Sequence, residues 1–359
     1  MTPLSPSEID RTAAWIASSQ LSDGMVPWYR GGHADPWNHV EATMALAAAG
    51  RWAEVERSFD WLAAQQLPDG SWCTFYVGGG VIEPRRDPNV CAYVATGAWW
   101  CSELGGGQSF LEAVWPMVER AVTWCLGYQR PGGEIIWSVG PDGVPGNFAL
   151  LAANSSLQQS LRGAARIAGA LGHDHAHTRW SAAAGRVARV VAEKPFVFNP
   201  KRRWAMDWYY PVLSGAVEGA EARRLLAGRW DEFVVPGLGT RCVADHFWVT
   251  AAETAECAMA ADRAGLRAEA EQLLDWTRHL RDADGAYWTG CAHPECVRFP
   301  GGQKSTYSAA AVIIADHVLY RRSPAAATFA PGSQAPGSQA PGPEVPGTQA
   351  PGPEARVSV

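Results

Sequence analysis

The 359-residue sequence is poor in charge: Asp, Glu, Lys and Arg make up only 18% of it, with a formal net charge of −6. Lys and Arg are dispersed rather than gathered in a stripe, which removes the electrostatic track that nucleic acid requires. No apolar run is long enough to span a bilayer, and the opening MTPLSPSEIDRTAAW has neither the basic nor the apolar region of a secretory signal. A cytoplasmic protein with no membrane partner is therefore expected. GGGVIEPRRDP and GQSFLEAV are Gly-containing stretches without P-loop or dinucleotide spacing, so no nucleotide site is assigned. The eight cysteines (73, 91, 101, 125, 242, 257, 291 and 296) form no disulfide framework, and reduced thiols are expected. CAHPEC places Cys291, His293 and Cys296 close together, but a fourth ligand at a recognised spacing is missing, so neither metal nor cofactor is expected.

What is present is apolar material, 47% of residues, and tryptophan, 18 of them. The tryptophans are periodic. In WIASSQLSDG, WLAAQQLPDG, WCLGYQRPGG and WTRHLRDADG a Trp precedes a Gly by nine residues, pairing Trp15 with Gly24, Trp61 with Gly70, Trp124 with Gly133 and Trp276 with Gly285. Each unit ends on a second tryptophan, Trp28, Trp72, Trp137 or Trp288. A helix carrying the first Trp near its end, stopped by a Gly that tolerates positive φ, gives this spacing. Charged, amphipathic helices are predicted at 8–20, 54–66, 112–128, 178–193, 220–230 and 267–280; each is partnered by an Ala-rich, charge-poor helix at 36–49, 88–104, 154–171, 207–219, 247–264 and 305–321. One set needs only an apolar stripe and the other is apolar nearly all round, the contrast between outer and inner helices. Six such hairpins make an all-α (α/α)6 barrel over residues 1–322. The Pro/Gly-rich reiteration of 323–359 reads as a disordered tail.

The loops entering the inner helices hold the unusual chemistry and are expected at one mouth of the ring. Asp35-Pro36 and Asp87-Pro88 suit an Asp N-cap with Pro in the first turn. Carboxylates near the start of apolar helices need a cap, a partner or a function, which selects Asp35, Glu41, Asp207, Asp245, Glu253 and Glu256. Aligning GRWAEVERSFDW with GLRAEAEQLLDW sets Asn38 beside Glu253 and Glu41 beside Glu256 in register, so the pairs project toward a common region. Glu41 and Glu256 are otherwise expected as buried carboxylates, hydrogen-bonded or ion-paired, with Arg57 or His39 as a partner, and His39 could instead orient a ligand. Trp28, Trp37, Trp72, Trp137, Trp208, Trp248 and Trp288 lie in or beside loops and, with Tyr209, offer flat faces for sugar rings or isoprenoid chains.

QQLPDGSW, following WLAA, resembles the QW repeat of squalene and hopene cyclases, which implies a toroid. The Asp-x-Asp-Asp acid cluster of those cyclases is missing here, and the zinc-binding Asp, Cys and His of the toroidal protein prenyltransferase β-subunits find no match. The longer blocks GGHADPWNHVEATMAL, MDWYYPVLSGAV, FVVPGLGTRCV, WVTAAETAECAMAADRAG and DGAYWTGC are similar to an actinobacterial prenyltransferase-like family that includes a mycobacterial hydrolase of methylmannose polysaccharides. The likeness runs over residues 5–322. It implies an intracellular, endo-acting α-mannosidase for α-1,4-linked, 3-O-methylated mannose chains, and hence an oligo- or polysaccharide substrate. Glycoside hydrolysis needs an acid for the departing oxygen and a second carboxylate for water or direct attack. By analogy with other (α/α)6 glycosidases, Asp35 is expected as base and Glu253 as acid of an inverting reaction, with Glu41, Glu256 and Asp207 as alternates. Two other readings stand beside it: a terpenoid cyclase or prenyl-group enzyme, which requires a deep apolar cavity with an acid or metal cluster, and a non-catalytic carbohydrate-binding toroid. The sequence leaves the oligomeric state open.

Overall fold

The computed structural model describes residues 3–331. Six outer helices, α1 (Pro6–Ala17), α3 (Trp52–Gln65), α5 (Gly107–Leu126), α7 (Asp174–Glu193), α9 (Gly219–Ala227) and α12 (Arg267–Trp276), surround six inner ones. The inner set is α2 (Pro36–Ala48), α4 (Pro88–Cys101), α6 (Leu151–Ala170), α8 (Met206–Leu213), α11 (Ala251–Arg263) and α13 (Thr306–Leu319); a single extra turn, α10 (Trp230–Phe233), follows α9. Each inner helix packs on the next, and α13 returns to α2, so the ring closes. Thirteen of the fourteen residues of α13 are buried against five of the fourteen in α3, as positions inside and outside a ring require.

The Trp–Gly repeat is the device that spaces the hairpins. Gly24, Gly70, Gly133 and Gly285 all adopt positive φ, between +89° and +112°. A Cβ on any of them would lie within 2.8 Å of backbone of the neighbouring outer helix, at Arg57, Arg120, Arg186 and Arg11 in turn. Only glycine lets the turn approach so closely. The glutamine of the repeat then clamps both sides: Gln20 Nε2 donates to Gly24 O and Glu54 O, Gln66 Nε2 to Gly70 O and Met117 O, and Gln129 Nε2 to Gly133 O and Ala183 O. In the fourth unit Arg281 takes the glutamine's place and reaches Glu8 O at 3.1 Å, joining the last hairpin to the first.

Three features depart from the sequence reading. Strands occur in the connections: a hairpin of β1 (Phe75–Val77) and β2 (Gly80–Glu83), and an antiparallel sheet of β3 (Val234–Val235), β4 (Gly239–Arg241), β5 (Trp248–Thr250), β6 (Trp288–Ala292) and β7 (Val297–Lys304) in that order. Strands of two to five residues are too short to show alternation, and β7 contains Pro300, Gly301 and Gly302, which read as loop. β5 also explains why α11 starts at Ala251 rather than near 247. Second, Cys291 and Cys296 are joined as a disulfide where reduced thiols were expected; six other cysteines are free among the described residues. Third, packing continues past residue 322. A 3₁₀ turn at Pro324–Thr328 leads to buried Phe329, with Gln159 Nε2 donating to Thr328 O and Arg263 Nη1 to Phe329 O and Ala330 O. The ring therefore extends to Ala330 because these carbonyls satisfy buried donors. The rest of the expected tail lies outside the described residues.

Candidate active site

One mouth of the ring holds a cavity of about 480 Å³. The helix starts of α2, α4 and α11 aim into it. Five carboxylates line it, Asp35, Glu41, Asp87, Glu253 and Glu256, together with the aromatic rings of Trp28, Trp37, Phe75, Trp204 and Tyr307.

Asp35 is the N-cap of α2, and its backbone-oriented oxygen accepts from Asn38 N at 3.1 Å. Its other oxygen accepts from Trp28 Nε1 at 2.5 Å and Asn38 Nδ2 at 2.7 Å. Burial pushes the carboxyl up while these donors pull it down; the balance lies above the ordinary value. The result is a desolvated carboxylate fixed in orientation, an arrangement suited to taking a proton from one direction. Glu253 sits in the first turn of α11 and accepts a hydrogen bond from Thr250 Oγ1, the helix's own N-cap residue.

One turn deeper, Glu41 and Glu256 form a second tier. Glu41 accepts from Trp37 Nε1 at 3.0 Å and Tyr93 OH at 3.3 Å. Neither expected partner meets it: Arg57 is turned outward to Gln20, and His39 is used elsewhere. Glu256 accepts from Tyr209 OH and, at 2.5 Å, from Tyr210 OH. Burial raises both carboxyls, and the charge of Glu256 raises Glu41 further; Glu256 is pushed up to about 7. Two carboxyls sharing a buried floor hold a proton at neutral pH because both cannot ionise there cheaply.

The remaining sequence candidates divide sharply. Trp28 and Trp37 line the cavity, Trp28 edge-on to Tyr307 at 5.2 Å and Trp37 stacked on Tyr93 at 4.7 Å. Tyr209 is fully buried and acts through Glu256. Trp72 and Trp208 are enclosed, their indole N–H groups donating to Leu62 O and Leu225 O, so neither presents a face to a ligand. His39 is a framework residue: Nδ1 accepts from Val26 N and Nε2 donates to Ser58 O, both at 3.0 Å, and burial pushes it down to about 4. Asp207, in the first turn of α8, accepts from Ala152 N at the start of α6 and from Lys201 N in the loop before α8, and does not line the cavity. Asp245 is exposed and paired with Arg203 at 2.9 Å. Trp248 is sandwiched between His246 and Phe299, and Trp288 lies under Lys304 and Arg298.

Sequence reasoning missed Asp87, Arg85, Tyr93 and Tyr210. Asp87 caps α4 through Asn89 N at 2.9 Å, and burial pushes it up to about 6 against the pull of that bond and of Arg85. The signal was available: Asp87-Pro88 repeats Asp35-Pro36, and Tyr93 follows Asp87 at the spacing by which Glu41 follows Asp35.

No family model matches the chain. Among solved structures it resembles a glycosidase in complex with glucose (TM-score 0.70, 16% identity, 88% of this chain and 96% of that one). It also resembles a D-mannose isomerase (TM-score 0.67, 12% identity, 88% and 97%) and an α-amylase from Clostridium perfringens (TM-score 0.65, 10% identity, 89% and 99%). At such identities these fix the fold and leave the chemistry open, since one toroid serves an isomerase as well as hydrolases. The informative relative is the MMP endo-(1,4)-3-O-methyl-alpha-D-mannosidase of Mycolicibacterium hassiacum, 42% identical over 321 residues, which cover 89% of this chain and 88% of that protein. At that identity and coverage, the chain belongs to the MMP endo-(1,4)-3-O-methyl-α-mannosidase family.

Proposed function

We propose that this protein is an endo-acting glycoside hydrolase that cuts (1,4)-linked 3-O-methyl-α-D-mannose chains, with Asp35 as general base and Glu253 as general acid. The observation that carries the reading is the cavity: five carboxylates and five aromatic rings converge where the inner helices begin, in a chain 42% identical to an enzyme of that activity. A cyclase would also place acids in an apolar cavity, so it is the 42% identity to a mannosidase that favours hydrolysis over that alternative. O-methyl groups make the sugar faces unusually apolar, which suits Trp28, Trp37 and Phe75, while carboxylates bind the free hydroxyls. We place the enzyme in the cytoplasm, on the sequence expectation.

In this mechanism Asp35 removes a proton from water as its oxygen attacks the anomeric carbon. Glu253 delivers its proton to the glycosidic oxygen, and the C–O bond breaks with inversion. Exchange with solvent then resets both groups. Trp28 and Asn38 hold the base, Thr250 holds the acid, and the Glu41–Glu256 floor sets the local field.

The test is incubation of wild type, Asp35→Asn and Glu253→Gln with methylmannose polysaccharide and with unmethylated α-1,4-mannan, read by mass spectrometry, with the anomer of fresh product read by NMR. Discrete shorter oligosaccharides from the methylated chain, inverted at the new end and lost in both variants, are expected. Products that persist in a variant move that role to Glu41, Glu256 or Asp87; no products from wild type would sink the hydrolase reading.

A further inference from the structure

Outside the cavity, a second cluster of reactive side chains lies at the far end of the five-stranded sheet. Cys291 is buried in β6, Cys296 closes the turn between β6 and β7, and His279 stands in the 3₁₀ segment Thr277–Leu280 that follows α12. The Nδ1 of His279 and the two sulfurs lie within 4.8 Å of one another, and Nδ1 is 3.6 Å from Cys296 Sγ. His293, which the sequence grouped with the cysteines, is not part of this cluster; its ring packs edge-on against Phe247 at 5.4 Å.

The tautomer of His279 is set by its surroundings. Nε2 is 2.9 Å from Leu238 O, a pure acceptor, so Nε2 carries the proton and Nδ1 keeps its lone pair. That lone pair faces the sulfurs. A disulfide sulfur has no hydrogen to offer it, whereas a metal ion held by thiolates would use it fully. A backbone carbonyl behind the outer nitrogen is also the usual support for a ligating histidine. The separation fits as well: with Zn–S near 2.3 Å and Zn–N near 2.0–2.1 Å at tetrahedral angles, sulfur and nitrogen sit about 3.6 Å apart.

We propose that, in its reduced form, this protein binds one zinc ion through Cys291 Sγ, Cys296 Sγ and His279 Nδ1, leaving the fourth position to water. A dithiol reductant supplies two electrons and two protons to the Cys291–Cys296 bond and is itself oxidised to a disulfide. Zinc then displaces the two thiol protons, and the sulfurs part to about 3.8 Å, the tetrahedral separation. Two thiolates neutralise the dication, so the ion costs the site no net charge. The ion's place in the fold is structural. Cys291 pairs with Val249 of β5, and β5 runs directly into α11, which carries Glu253. Zinc would pin His279 to β6 and hold the strand that positions the proposed acid.

The experiment uses the full chain, purified with a dithiol reductant, exchanged into zinc and freed of excess, with metal content read by plasma mass spectrometry and melting by calorimetry. About one zinc per chain is expected in wild type, falling below about a tenth in Cys291→Ser, Cys296→Ser and His279→Ala, with full retention in His293→Ala. Zinc should raise Tm in wild type and His293→Ala only. Cobalt in place of zinc should give thiolate charge-transfer absorption, a readout that does not depend on catalysis and that the zinc-free variants lack. If reduced wild type holds no zinc while both thiols react freely with an alkylating agent, or if His279→Ala keeps its zinc, the proposal is wrong. A Cys291–Cys296 bond that survives the reductant would overturn it equally.

Discussion

The first and second inner helices begin with the same two residues and surround their aspartates differently. Asp35 and Asp87 are both N-caps followed by proline, both buried, and both line the cavity. Asp35 receives two side-chain donors, from Trp28 and Asn38, in addition to its backbone cap. Asp87 has Asn89 N, the indole of Trp137 and the charge of Arg85, which itself stacks over Trp137 at 4.7 Å. The residue three past each aspartate contributes to the difference: Asn38 returns a side-chain donor to its cap, whereas Val90 offers only its backbone N–H. A duplicated hairpin thus supplies two carboxylates at one mouth, and the proposed mechanism gives the chemistry to Asp35 and a binding role to Asp87.

The largest effect should come from Asp35→Asn. Asparagine still caps α2 and removes a buried carboxyl held above its ordinary value, so Tm at neutral pH should hold or rise while kcat falls by about 10³-fold or more; an equal loss in Asp87→Asn would erase the distinction between the two caps. Glu256→Gln comes next, with kcat/KM down about 10–100-fold. Glutamine cannot accept from both Tyr209 and Tyr210 as the carboxylate does, so the deeper tier loses part of the hydrogen bonding that orders it. An unchanged kcat/KM would separate the deeper tier from the acid.

Asp87→Asn should raise KM by about tenfold with kcat nearly kept, and its stability effect has a definite sign. With Asp87 pushed up to about 6, the folded chain holds its proton more tightly than the unfolded chain, so the cost of ionising it is absent below about pH 4, grows through pH 4–6 and is complete above. The asparagine variant should therefore melt higher than wild type at pH 8, by the equivalent of about 1–3 kcal/mol, and match it near pH 4. A gap independent of pH would mean the carboxyl is not the cause. Trp28→Phe removes one donor from Asp35 and keeps the ring, so a loss of about fivefold in kcat is expected, with Asp87 unaffected. Smallest for catalysis is Asp207→Ala: unchanged kinetics and about 1–2 kcal/mol less stability by denaturant melts, from two unpaired backbone N–H groups.

How much of the site was legible follows from which forces act locally. Asp35, Glu41, Glu253 and Glu256 were readable because charge near the start of an apolar helix is costly without a purpose, and repeat registration set Glu41 and Glu256 at matching depth. The tryptophans were not separable by composition. Trp72 and Trp28 close successive copies of the same repeat, yet Trp72 bonds to Leu62 O in the core and Trp28 bonds to Asp35 in the cavity. Nothing within ten residues of either says which side of the ring it will face. Asp87 was passed over because its cap role sufficed to explain it, although the repeat that marked Asp35 marked it too.

By itself the sequence determined the ring: the Trp–Gly period, the alternation of amphipathic with apolar helices and the Asp-Pro starts act within a helical turn or between adjacent hairpins, where spacing along the chain is spacing in space. Only the tertiary structure decided which side chains meet across it. Tyr210 reaches Glu256 over 46 residues, Tyr93 reaches Glu41 over 52, and His279 in place of His293 joins Cys296. Those partners depend on how six hairpins close on one another, and closure is a property of the packed ring rather than of any segment in it.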